Sequence, residues 1–128
     1  MSQPLIYIDT SEVREGALDE LKVAIEELVA FIDANEPRIL TYHVYLSEDG
    51  TRMTVVHLHS DPASLDYHMD VAGPAFQKFA HLLTMSSIRI YGEPSERALR
   101  QLHEKARMLG CEDVTVHRPH AGLARLGR

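Results

Sequence analysis

The sequence predicts a single α+β domain, an antiparallel sheet with helices packed on one of its faces. Three observations lead there. Apolar residues recur at helical spacing in three separate stretches, short alternating or continuous apolar runs lie between them, and the two patterns interleave along the chain. With 128 residues and 45% hydrophobic content, the chain suits one core that buries about two thirds of the surface exposed when unfolded.

Pro4 to Asp9 (PLIYID) reads as the first strand, and Thr10-Ser11 turn the chain. From Glu15 to Asn35, Leu18, Leu21, Ile25, Leu28 and Ile32 recur at steps of three and four, one buried helix face. Asn35-Glu36-Pro37 ends this helix, because the residue before a proline avoids helical geometry. Arg38 to Leu46 and Thr51 to Ser60 then form a hairpin around Ser47-Glu48-Asp49-Gly50. A three-residue loop with Gly50 at positive φ pairs Tyr45 with Met53, His43 with Val55 and Thr41 with His57. In that register Thr41, His43, Tyr45, His57 and His59 share one face, and Leu40, Tyr42, Val44, Val56 and Leu58 share the other, under the helices. A four-residue loop slips the pairing by one and parts His43 from His57.

Asp61-Pro62 opens a second helix as N-cap and first-turn proline, with Leu65, His68, Met69 and Ala72 buried. Gly73-Pro74 breaks it, and Phe76, Phe79, Ala80 and Leu83 continue beyond. A fourth strand is expected from about Thr84 to Tyr91. Gly92-Glu93-Pro94-Ser95 starts a third helix carrying Leu99, Leu102, Ala106 and Leu109, which Gly110 stops. Asp113 to His117 reads as a last short strand and His120 to Arg128 as a loosely held tail. The order strand, helix, strand, strand, helix, strand is that of a ferredoxin-like fold. We divide it into a core over residues 1–91 and a helix-strand extension of the same domain over 92–128. With His43, Tyr45, His57, His59, Met53 and Val55 on the face away from the helices, that face is expected to be covered by a second copy, enclosing a cavity in a homodimer.

The net charge of −6 argues against a nucleic-acid partner, which needs clustered Lys and Arg. Residues 1–86 carry 14 acidic and 5 basic side chains, residues 87–128 carry 5 and 8. The basic C-terminal third therefore suits packing on an acidic surface, though a solvated mixture accounts for it equally. No apolar run is long enough for a membrane span, no secretory leader pattern opens the chain, and Cys111 stands alone. A cytoplasmic protein without disulfides is expected.

The run VVHLHSDPASLDYH, residues 55–68, concentrates three histidines. His57 and His59 on one strand face, with His43 across the hairpin, could converge on a metal. No Asp or Glu joins that predicted face, however, so no metal is assigned. A general base needs only one neutral imidazole in a cavity that a hydroxyl can reach. The candidates are His57, His68 and His43 as catalytic groups, with His59, Tyr45, Arg89 and Tyr91 as substrate contacts. Packing or a polar interface is the plainer use of the same histidines.

The run TYHVYLSEDGTRMTVVHLHSDPASLDYHMDVAGPAFQKFAHLL resembles the core of the antibiotic biosynthesis monooxygenase family, small dimeric α+β barrels. The resemblance covers residues 4–91 and rests on the tyrosine-containing strand, the acidic turn with Gly50, Leu65 three residues before His68, and the aromatics Phe76 and Phe79. It implies a homodimer and, for some members, oxygenation of quinols or aromatics without metal or flavin; other relatives degrade haem. Under the first implication one sheet-face histidine is the base, Tyr45 and His68 orient a small aromatic or quinol-like substrate, dioxygen is the oxidant and no cofactor is needed. A non-catalytic binding or assembly module and a haem- or metal-dependent enzyme are the alternatives. The chain departs from the family where His57-Leu58-His59 replaces a Glu-x-aromatic pattern, and in everything after Gly92.

Overall fold

The computed structural model describes residues 3–126; the expected tail's last two residues lie outside that range. Strands β1 (Leu5–Val13), β2 (Ile39–Leu46), β3 (Arg52–His59), β4 (Leu83–Tyr91) and β5 (Val114–His117) form one sheet in the order β2-β3-β1-β4-β5. The first four pair antiparallel in the ferredoxin-like arrangement, and β5 lies parallel to β4. Parallel neighbours need a crossover, which the intervening helix supplies. Helices α1 (Leu18–Asn35), α2 (Pro62–Ala72), a 3-10 segment (Gly73–Phe79) and α3 (Glu96–Met108) complete the fold.

Local chemistry explains the boundaries. Asp61 caps α2 by accepting the Ser64 N–H at 2.9 Å, with Pro62 in the first turn. Ser95 does the same for α3 through the Ala98 N–H. Leu65, His68, Met69 and Ala72 are buried as the α2 stripe predicted. Strand β1 runs four residues past Asp9, and alternation places Leu5, Tyr7, Asp9 and Ser11 all inward.

The hairpin corrects the expected register. Ser47 pairs with Arg52, not Thr51, so the loop is Glu48–Thr51. Asp49 fixes this choice: its Oδ1 accepts from Ser47 Oγ, the Thr51 N–H and Thr51 Oγ1 at 2.8, 3.1 and 2.7 Å, holding Thr51 within the turn. Gly50 takes φ 72° there, as expected. Pairing therefore runs Leu46–Met53, Val44–Val55, His43–Val56 and Tyr42–His57. The faces of β3 exchange accordingly, while on β2 Tyr42 and Val44 stay under the helices as expected. Met53, Val55, His57 and His59 lie beneath the helices, and Val56 and Leu58 turn outward with His43 and Tyr45. Leu40, expected under the helices, is 44% exposed because a bulge between Ile39 and Thr41 breaks the alternation.

Candidate active site

Polar side chains gather between sheet and helices, where a core is ordinarily apolar. Tyr7, Asp9 and Ser11 come from β1, Tyr42 from β2, His57 and His59 from β3, Ser64 and His68 from α2, Lys105 from α3, and Glu36 from the end of α1. His57, His59 and His68 are fully buried, and Lys105 is 7% exposed. Apart from Glu36, which follows α1 in non-helical backbone, each sits on a regular element whose geometry turns it inward.

Three sub-clusters are linked by ring contacts. The Lys105 ammonium donates to Tyr7 Oη and to Asp9 Oδ2, the latter at 3.3 Å, and lies 3.9 Å from the Phe76 ring centre. The His57 ring stacks on Tyr7 at 4.1 Å, and its Nε2 stands 3.9 Å from Asp9 Oδ2, beyond hydrogen-bond reach. His68 lies edge-on to His57 at 4.9 Å and holds both carboxylate oxygens of Glu36 with Nδ1 at 2.9 Å. His59 Nδ1 shares a hydrogen with Ser64 Oγ at 2.8 Å. Both nitrogens of His57, Nε2 of His59, Nε2 of His68 and Oγ of Ser11 are buried without a hydrogen-bond partner. Orphaned atoms of this kind are rare in a merely structural core.

Burial sets the protonation states. It pushes the His57 imidazole well below its ordinary range, helped by His68, Lys105 and His59 nearby. It lowers His59 to about 3, and lowers His68 against the opposing pull of Glu36. All three are therefore neutral at pH 7, and His68, donating through Nδ1 to a carboxylate, keeps a free lone pair on Nε2. Burial likewise raises the Tyr7 hydroxyl, with Asp9 adding to the effect, and lowers the Lys105 ammonium although Asp9 resists.

A chamber of about 30 Å³ adjoins the cluster. Asp9, Ser11, Tyr42 and Lys105 form its polar wall, and Leu28, Val55, Phe76 and Phe79 are among its apolar ones. The three histidines stand behind this wall and not on it, which corrects the expectation of a cavity lined by histidines between two subunits. Among the described residues no cluster of His, Cys, Asp and Glu is arranged to hold a metal ion.

The sequence-selected residues divide between the two faces. His57, His59 and His68 are brought together, within 5.8 Å ring to ring. His43 and Tyr45, both exposed, lie on the opposite face. Arg89 is on that face too, opposite Ile8, and binds Asp113 through both terminal nitrogens at 2.8 and 2.9 Å; Tyr91 stacks on His117. None of these four reaches the chamber. Asp9, Ser11, Tyr7, Glu36 and Lys105 escaped sequence reasoning. The signal was present for two of them: Asp9 is in phase with Leu5 and Tyr7, and Lys105 is three residues past Leu102 on the buried stripe of α3.

No protein-family model matches the chain, and no curated protein sequence is significantly similar to it. Solved structures are similar in fold. MupZ from Pseudomonas fluorescens superposes with a TM-score of 0.72 at 17% identity, over 98% of this chain and 91% of its own, a span that includes α3 and β5. SnoaB from Streptomyces nogalater, a cofactor-independent oxygenase, gives 0.61 at 14% identity over 73% of this chain and 96% of its own. A Caulobacter crescentus protein assigned provisionally to the antibiotic biosynthesis monooxygenases gives 0.61 at 21% identity, covering 70% and 86%. The chain has the fold of the antibiotic biosynthesis monooxygenase-like proteins.

Proposed function

We propose that the chain is a cofactor-independent oxygenase of small aromatic or quinol-like molecules, with Lys105 and Asp9 as its acid–base pair. The carrying observation is the Lys105–Asp9–Tyr7 cluster at the polar end of a mostly apolar chamber. Burying an ion pair costs several kcal/mol per ion before attraction repays it, and apolar residues would pack there at no such cost. The Asp9 carboxylate accepts the proton of a substrate hydroxyl, and the Lys105 ammonium beside it steadies the phenolate that results. The anion passes one electron to dioxygen, the two radicals join at a ring CH carbon, and the proton held by Asp9 returns to the peroxide so formed. Loss of water leaves a carbonyl there, so one oxygen atom enters the product, the other leaves as water, and the substrate supplies all four electrons. His57, His68 and Glu36 act as positioning residues behind Tyr7 and Asp9. Two copies pair through the outer sheet face, and each chamber belongs to a single chain.

Oxygen uptake with a panel of hydroquinones and anthrone-type phenols tests the reading. Asp9→Asn and Lys105→Met are expected to lower kcat about 10²-fold or more, the usual worth of a general acid–base group. His68→Ala should cost less. Absence of uptake across the panel, or undiminished uptake in both first variants, overturns the mechanism.

A further inference from the structure

The chamber is too small for the ring of the substrate just proposed. About 30 Å³ admits one or two waters, whereas a cavity that takes benzene measures about 150 Å³. Only two side chains, Leu28 of α1 and Phe79 of the 3-10 segment, line both this chamber and a surface groove of about 380 Å³. The groove is walled chiefly by Ala24, Phe31, Val71 and Ala75, with Glu27 and Lys78 as its charged residues. At the chamber's polar wall, Ser11 Oγ is buried without a partner. Lys105 uses its ammonium on Tyr7 and Asp9 and has a third N–H in hand.

We propose that chamber and groove are the two halves of one binding site for an elongated amphiphile. Ser11 and Lys105 hold an oxygen at its head, and its apolar body passes between Leu28 and Phe79 into the groove. The identity of the head oxygen as the reacting one rests on the oxygenase reading; the binding mode does not. A second groove shares Ile25 and Tyr42 with the chamber, but Glu26, Asp33 and Glu36 line it. Three carboxylates suit neither an alkyl body nor an anionic head.

Titration calorimetry of the full chain with phenol, 4-butylphenol and 4-octylphenol tests the proposal without turnover. Affinity should rise up to about fourfold per added methylene, the worth of burying one, until the groove is filled. Ala24→Trp and Ala75→Trp, each checked for folding by circular dichroism, should flatten that dependence. Ser11→Ala should weaken all three ligands by about tenfold, and Ser11→Thr should restore them. Affinity independent of chain length, no binding of any of the three, or flattening by Ala30→Trp in the acidic groove instead would overturn it. Tight, length-dependent binding without oxygen uptake removes the oxygenase reading alone. Oxygen uptake with length-independent binding removes this one alone.

Discussion

An imidazole sealed under a helix layer reports its surroundings through the pH at which the fold weakens. His57, His59 and His68 have folded-state pKa values below the ordinary 6.5. Above 6.5 neither state takes the proton, and the stabilising difference is fully present. Below 6.5 the unfolded chain protonates and the folded one does not. Stability therefore falls with pH until the folded pKa is reached, which for His59 is about 3. The slope is about 1.4 kcal/mol per pH unit for each such group, so the step from pH 7.5 to 5 should cost about 2 kcal/mol per histidine that stays neutral. Urea unfolding at the two values measures it, and His59→Gln should remove one histidine's share. Equal midpoints at both pH values would mean that the imidazoles charge freely in the folded state, and the site as described could not exist.

At the scale of elements, α3 is tied to β1 by the Lys105–Asp9 pair, and that tie is testable as a cycle. Asp9→Asn alone leaves a buried cation without its counter-charge and should cost about 3–5 kcal/mol. Lys105→Met with Asp9→Asn removes both charges and should recover most of that loss, since an apolar side chain of similar length fills the same stripe between Leu102 and Leu109. Additive losses in denaturant would show that the two groups do not interact. The order of elements, the cap at Asp61 and the buried stripe of α2 were legible in the sequence because each depends on local chemistry. The faces of β3 were not. β3 carries Val55 and Val56 side by side and Leu58 beyond, so both parities are partly apolar, and a three-residue loop turns the histidines to the face that a second copy is expected to cover. Alternation alone does not decide between two such faces when the buried one holds a polar cluster. The register then depended on Asp49 drawing Thr51 into the turn, a contact that spacing does not reveal. Lys105 and Glu36 were invisible for a different reason: 96 residues separate Lys105 from Asp9 and 32 separate Glu36 from His68.

For the molecule as a whole, the corrected register changes what a second copy does. With His57 and His59 turned inward, the outer face presents Ile6, Ile8, Val56 and Leu58 beside Tyr45 and Tyr91, and Ile6, Tyr45 and Tyr91 are each more than a third exposed. An apolar sheet face flanked by Arg89 and His43 suits a self-complementary, two-fold contact, and a stable one needs about 1,000 Å² or more of buried surface. Equilibrium sedimentation is expected to give twice the chain mass. Ile8→Lys, placed mid-face on the central strand β1, should shift the population to single chains, because it buries a charge against its own symmetry mate. Chamber and groove are built from one chain, so the monomeric variant should still bind 4-butylphenol with wild-type affinity. Sedimentation of the wild type as a monomer would refute the pairing and leave the site untouched. Loss of ligand binding in a folded Ile8→Lys monomer would show instead that the partner supports the helices over the site.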